Sequence, residues 1–168
     1  MSNLNKSTTH TLSVYVANKP GVLARIAQLF SRRGFNIESL VVSPGIDGKF
    51  SRMTISCTGE AEGLDQIIKQ LLKLIDVLHC IDHTYDQSVT KEMGLIKIEV
   101  NSSGRSEALQ IAEHYGCKTV DLTPESMILQ VVGNPEKIDA FEEMIAKFKI
   151  IELVRTGKVV MSRGSDIT

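Results

Sequence analysis

Asn18-Lys19-Pro20-Gly21-Val22-Leu23 separates two kinds of hydrophobic pattern, and its reading decides the fold. Before it, Thr11 to Ala17 alternates, with Leu12, Val14 and Val16 on one face and Ser13 and Tyr15 on the other. A period of two predicts a half-buried strand. After it, Leu23, Ile26, Ala27 and Phe30 fall at i, i+3, i+4 and i+7, which predicts a helix with one apolar stripe. Asn18 is placed to cap that helix with its side-chain oxygen, and Pro20 suits its first turn, where a missing N–H is no loss. Gly34 stands where a left-handed C-terminal cap is wanted, and Phe35-Asn36-Ile37-Glu38-Ser39-Leu40 begins a second strand.

The turn has chemistry as well as shape. A helix N-terminus exposes unpaired N–H groups at the positive end of the helix dipole, and Gly21 puts no side chain in the way of an approaching anion. A carboxylate fits the amides of Gly21, Val22 and Leu23. Asn18 and Asn36 would offer oxygens to an ammonium group if the first and second strands are neighbours. Together these make a receptor for a free amino acid. The same spacing also describes an ordinary strand-to-helix turn, and the residues alone leave both readings open.

Composition narrows the function classes. The 168 residues suit one domain or two small ones. A net charge of −1 and an aromatic content of 5% without Trp argue against nucleic acid as a partner. The apolar runs are too short to span a bilayer, and the polar start lacks the apolar core of a signal peptide, so no membrane partner is expected and the location is expected to be cytoplasmic. Three scattered cysteines suit a reducing compartment better than a disulfide framework.

Taken in order, residues 1–9 read as a flexible tail and 10–85 as the first module. The second strand runs from Asn36 to Ser43, a turn covers Pro44 to Lys49, and the third strand covers Phe50 to Thr58. Leu64, Ile67, Ile68, Leu71, Leu72 and Ile75 give the clearest helical period in the chain, and Val77 to Tyr85 reads as a fourth strand. The order is βαββαβ, the ferredoxin-like arrangement. Residues 86–90 form a linker, and 91–168 repeat the order. Glu92 to Val100 is a strand, a helix starts at Ser102-Ser103-Gly104 and closes at Gly116, and Val120 and Leu122 mark a short strand. Met127 to Val132 is another strand, Asn134-Pro135 caps a second helix, and Ile150 to Arg155 is the last main strand, with Val159 to Met161 extending an edge. Gly94 marks a weak point or bulge in its strand. The fold class is therefore α+β, two ferredoxin-like βαββαβ modules. Open sheet edges and a bare sheet face predict a homodimer.

No catalytic constellation emerges. There is no GxGxxG, no Walker loop and no serine elbow with a paired histidine. His79 and His83 with Cys80 match no standard zinc spacing and read as polar surface, so no metal is expected. Cys57, Cys80 and Cys117 read as small buried hydrophobes. Ser102-Ser103-Gly104-Arg105 could hold a phosphate but reads better as a plain helix cap, and Glu142-Glu143 as a solvated face. Ferredoxin-like enzymes that bind phosphate in the first loop need an Arg there; Arg25 falls a turn into the helix.

The stretch Asn18 to Leu23, with Phe30-Ser31-Arg32-Arg33-Gly34-Phe35-Asn36-Ile37-Glu38-Ser39-Leu40 and Ser51-Arg52-Met53-Thr54-Ile55, resembles the small regulatory subunit of acetolactate synthase (acetohydroxyacid synthase). The first module is similar to an ACT domain, the amino-acid-sensing form of βαββαβ. Lys97-Ile98, Asp121-Leu122-Thr123-Pro124, Lys137-Ile138-Asp139-Ala140-Phe141, Val154-Arg155-Thr156-Gly157 and Ser162-Arg163-Gly164 resemble that family's C-terminal domain, so the resemblance spans nearly the whole chain. It implies a non-catalytic subunit of a transferase of branched-chain amino acid biosynthesis. Its large catalytic partner carries thiamine diphosphate, magnesium and FAD, and this chain carries no cofactor. It further implies activation of that partner, feedback inhibition by valine or its leucine and isoleucine relatives, and an effector site between two ACT domains of a dimer. By position the effector contacts are Asn18, Pro20, Gly21, Val22 and Leu23 at the turn and Asn36 and Ile37 on the second strand, the latter from the partner chain. The alternative is a free-standing ACT-type sensor that acts on another partner.

Overall fold

The alternating and helical segments form the expected elements in the expected order. The structure is a computed structural model that describes residues 8–168. The expected tail thus lies outside the described residues as far as position 7, while Thr8 and Thr9 already belong to the first strand. The first six elements are β1 (Thr8–Ala17), α1 (Val22–Arg32), β2 (Asn36–Pro44), β3 (Phe50–Gly59), α2 (Ala61–Leu71) and β4 (Val77–Asp82). β4 stops before Tyr85 because Asp82 turns the chain, its carboxylate accepting the Thr84 amide at 2.9 Å. They build an antiparallel sheet in the order β2-β3-β1-β4.

One face of this sheet carries both helices. Leu12, Val14 and Val16 of β1 and Met53, Ile55 and Cys57 of β3 meet Val22, Ile26 and Phe30 of α1 and Leu64, Ile67 and Leu71 of α2, all buried. Each such side chain contributes roughly 1.5–3 kcal/mol by leaving water. Gly34 takes the left-handed conformation at φ 70°, and Phe35 donates its amide back to Phe30 O at 3.0 Å, closing α1 as its position predicts. The other face is not bare. Ser13, Thr54 and Ser56 are buried there, and Arg52 and His79 hold the Thr168 carbonyl, His79 Nε2 at 2.9 Å.

The second set comprises β5 (Val89–Glu99), α3 (Arg105–His114), β6 (Lys118–Leu122), β7 (Ser126–Gly133), α4 (Pro135–Ile145) and β8 (Lys149–Arg155), followed by the short β9 (Val159–Met161). The order β6-β7-β5-β8 repeats that of the first sheet. Ile96, Ile98, Met127, Leu129, Ile138 and Phe141 centre its core. Asn134 caps α4 as expected, its side chain accepting from Lys137 N at 3.2 Å. Among the described residues no side chain caps α3, whose cap residue is Gly104; Asn101 braces the turn before it, accepting from Gly104 N at 3.0 Å. Gly94 is no bulge: it pairs with Val131 and Arg155, and the register shift of β5 against β8 falls at Lys97/Ile98. A Cβ at Gly94 would lie 3.1 Å from Val131, so glycine serves close packing there.

The chain divides into two compact units: one runs to Val89 and includes Gly157–Thr168, the other is Thr90–Thr156. This differs at both ends from a second module at 91–168. β5 starts at Val89, inside the expected linker 86–90. The last stretch joins the first unit because Thr168 is held by Arg52 and His79, and because Gly157 sits so close to Ser39 that a Cβ there would come within 2.6 Å of the serine Cβ.

Candidate functional site

Gly21, in the left-handed region at φ 84°, turns the chain out of β1 into α1. α1 therefore starts at Val22, and Pro20 lies in the turn before it. Asn18 makes no cap: its Nδ2 donates to Gly48 O at 2.9 Å and its amide to Lys49 O at 2.9 Å, tying the turn to the β2–β3 hairpin. The capping reading fails because α1 starts at Val22, behind the left-handed Gly21, so Asn18 stands one turn too early to cap it. Among the described residues no donor reaches the Asn18 Oδ1.

The amides at the start of α1 are available. Val22 N reaches Lys19 O only at 3.5 Å, and among the described residues no carbonyl accepts from Gly21 or Leu23. Gly21 is exposed, and no atom lies within 4 Å of where its Cβ would be. Leu23 is 42% exposed and presents an apolar surface beside the amides. Val22 differs: its side chain is buried in the core, so only its N–H can meet a ligand. Asp76, not singled out by the sequence, frames the turn. Its carboxylate pairs with Arg25 at 2.9 Å and Lys19 at 3.6 Å, while its carbonyl accepts from Ala17 N at 2.7 Å.

Asn36 and Ile37 lie elsewhere. The first and second strands are not neighbours; β3 separates them. Asn36 is level with Thr58 and Thr58 with Thr9, whereas the Gly21 turn follows Ala17 at the opposite end of β1. Eight residues at about 3.3 Å each put Asn36 and the turn roughly 26 Å apart in one chain. β2 is an edge strand, so one side of its backbone is open to a further strand.

The start of β2 carries a feature that the sequence reading passed over. Ile37 and Leu40 both pack on the core although an odd separation should put them on opposite faces. A bulge resolves this: the register with β3 shifts between Ile37 and Ser39, leaving Glu38 unpaired. Asn36 Nδ2 donates to Glu38 Oε1 at 2.7 Å, and Thr58 Oγ1 donates to the same oxygen at 2.8 Å. The bonds from Asn36 and then Thr58 hold this exposed carboxyl below its usual range, so it is an anion at neutral pH. The spacing of Ile37 and Leu40 was the available signal.

The remaining candidates do not converge. His79 stacks on Tyr15 at 5.2 Å between ring centroids, while His83 pairs with Asp86 beyond the end of β4. Among the described residues no three His, Cys, Asp or Glu side chains gather as a metal set. Burial pushes the thiols of Cys57, Cys80 and Cys117 up to about 11, about 12 and about 11. Among the described residues no helix is long and apolar enough to cross a membrane. The turn and the start of β2 offer amides, oxygens and apolar surface, a binding chemistry.

Comparison with known proteins covers both units. Residues 12–79 match the family model described as an AHAS small subunit-like ACT domain, and residues 91–164 match the one described as the small subunit of acetolactate synthase. The chain is 42% identical over 160 residues to the acetolactate synthase small subunit of Mycolicibacterium smegmatis, covering 95% of this chain and 94% of that protein. It is 44% identical over 156 residues to that of Mycobacterium bovis, covering 93% of each. The crystal structure of the acetolactate synthase small subunit from Thermotoga maritima superposes with a TM-score of 0.83 at 34% identity, covering 94% of this chain and 99% of that one.

Proposed function

The chain belongs to the acetolactate synthase small-subunit family, and on that premise we propose that it is a regulatory subunit without a catalytic site of its own, which activates the large catalytic subunit and makes it sensitive to valine or a related branched-chain amino acid. Thiamine diphosphate, magnesium and FAD belong to the large subunit in this reading.

The observation that carries the effector site is the separation of its halves. Turn amides for a carboxylate and Asn36 for an ammonium stand at opposite ends of one sheet, too far apart for one small amino acid. Two copies joined antiparallel through the open edge of β2, about a two-fold axis near Leu40, set Asn36 of one chain opposite Pro44 of the other. Pro44 lies at the hairpin end that Asn18 grips. The carboxylate then meets the amides of Gly21, Val22 and Leu23, the ammonium meets the oxygens of Asn18 and of the partner's Asn36, and Pro20, Leu23 and the partner's Ile37 enclose the branched side chain. Valine binding and large-subunit binding are linked, each changing the other's affinity by the same factor, typically worth about 1–3 kcal/mol.

Reconstitution with the large subunit tests this. The wild-type chain should raise acetolactate synthesis and render it valine-sensitive. Gly21→Asp, which puts a carboxylate where the ligand's belongs, should keep the activation and abolish the sensitivity. A variant still fully inhibited by valine would refute the site. A chain that retains no large subunit in a pull-down would favour the free-standing sensor.

A further inference from the structure

Resting on the amino-acid site proposed above, we propose that Glu38 is a positioning residue for the effector's ammonium group, acting through Asn36. A primary amide has one donor end and one acceptor end. Asn36 Nδ2 lies 2.7 Å from Glu38 Oε1, and a carboxylate only accepts, so the amide has one orientation: nitrogen toward Glu38, Oδ1 away from it. An ammonium needs an acceptor, and this arrangement presents one. Without Glu38 the Asn36 amide turns freely and offers its donor end as readily.

Three observations make this a built arrangement. Glu38 is the residue left unpaired where β2 shifts register against β3, and bulges re-aim side chains in this way. Thr58 of β3 anchors the carboxylate from the other side at 2.8 Å. Both hydrogen bonds fall on Oε1, so the carboxylate is fixed on two sides and presents a single acceptor to the Asn36 amide.

Calorimetric titration of the full chain with L-valine tests the assignment, with the dimer checked by sedimentation and folding by thermal melting. Glu38→Ala should weaken valine by about tenfold or more, the scale of one charge-assisted hydrogen bond. Glu38→Gln, which keeps an acceptor for Asn36 but loses the charge, should recover part of the affinity. Asn36→Ala should weaken valine too, and the Glu38→Ala/Asn36→Ala double variant should bind no more weakly than Asn36→Ala alone. Unchanged affinity in Glu38→Ala, additive losses in the double variant, or Glu38→Gln as weak as Glu38→Ala overturns the proposal. If Glu38→Ala fails to fold or to dimerise, Thr58→Val decides: it frees the carboxylate without touching its charge and should weaken valine, and an unchanged affinity overturns the proposal. A wild-type chain that takes up no valine, alone or with the large subunit, overturns the site reading itself and this inference with it.

Discussion

Asn18 Nδ2 donates to the Gly48 carbonyl at 2.9 Å, so the turn that launches α1 is fastened to the hairpin between β2 and β3. Both residues are exposed, and a solvent-exposed hydrogen bond contributes no more than about 1 kcal/mol to stability. Asn18→Ala should therefore change the melting temperature little while weakening valine about tenfold, because it releases the turn and removes an ammonium acceptor. Melting and titration of the same sample separate the two effects; equal losses in both would mean that Asn18 only braces the fold.

Gly21 separates backbone strain from charge. Its φ of 84° penalises any side chain, yet a Cβ there meets nothing within 4 Å. Gly21→Ala should lower unfolding free energy by about 1–2 kcal/mol, the cost of left-handed backbone, in a denaturant titration. Gly21→Asp should cost the same or slightly less, since Asp tolerates that region better, while losing valine sensitivity far more completely. The gap between the two variants measures repulsion of the ligand carboxylate.

In the second unit, Arg155 forks onto Glu92 through Nε–Oε1 at 2.8 Å and Nη2–Oε2 at 3.0 Å and also meets Asp139 at 2.6 Å. The hydrogen bonds to Glu92 above all, opposed by desolvation and reinforced by Asp139, push the guanidinium further above its ordinary range. The Glu92 side chain is only 5% exposed. Arg155→Met strands a buried carboxylate and should cost about 3–5 kcal/mol, whereas Glu92→Leu with Arg155→Met should recover most of it. Denaturant melts of the full chain give both values.

The cysteines predict an alkaline limit. Burial above all, with the charge of Asp82 adding to it, pushes Cys57 up to about 11, and Cys80 for the same two reasons up to about 12. A thiol in the unfolded chain ionises near 9.0. These groups are raised on folding, so their contribution to stability is fully present below pH 9 and is lost as pH rises through about 11 to 12. Stability measured from pH 8 to 11 should fall progressively. At pH 8 a thiol reagent should label the native chain slowly and all three cysteines at once in denaturant.

The sequence by itself determined the two βαββαβ modules, because burial on one face writes a period of two into β1 and β3 and a period near 3.6 into α1 and α2. It determined the positive-φ glycine at 34, since a helix C-terminal cap is a local matter, whereas the positive φ of Gly21 came with the later helix start. The family was legible too, from the spacing of the Asn18 turn and the Asn36 strand. Only the tertiary structure decided where their side chains go. Asn18 binds the hairpin because the fold brings the Gly48 carbonyl, thirty residues on, within reach of its Nδ2, while α1 starts only at Val22. Val22 turns into the core, leaving its amide alone to face a ligand. The bulge at Glu38 and its bridge to Thr58 depend on the pairing of β2 with β3, which no local window contains. The same pairing places β3 between β1 and β2 and so sets Asn36 and the Gly21 turn at opposite ends of the sheet. Register is a relation between distant segments, and it is what sets Asn36 eight residues along the sheet from the turn at Ala17.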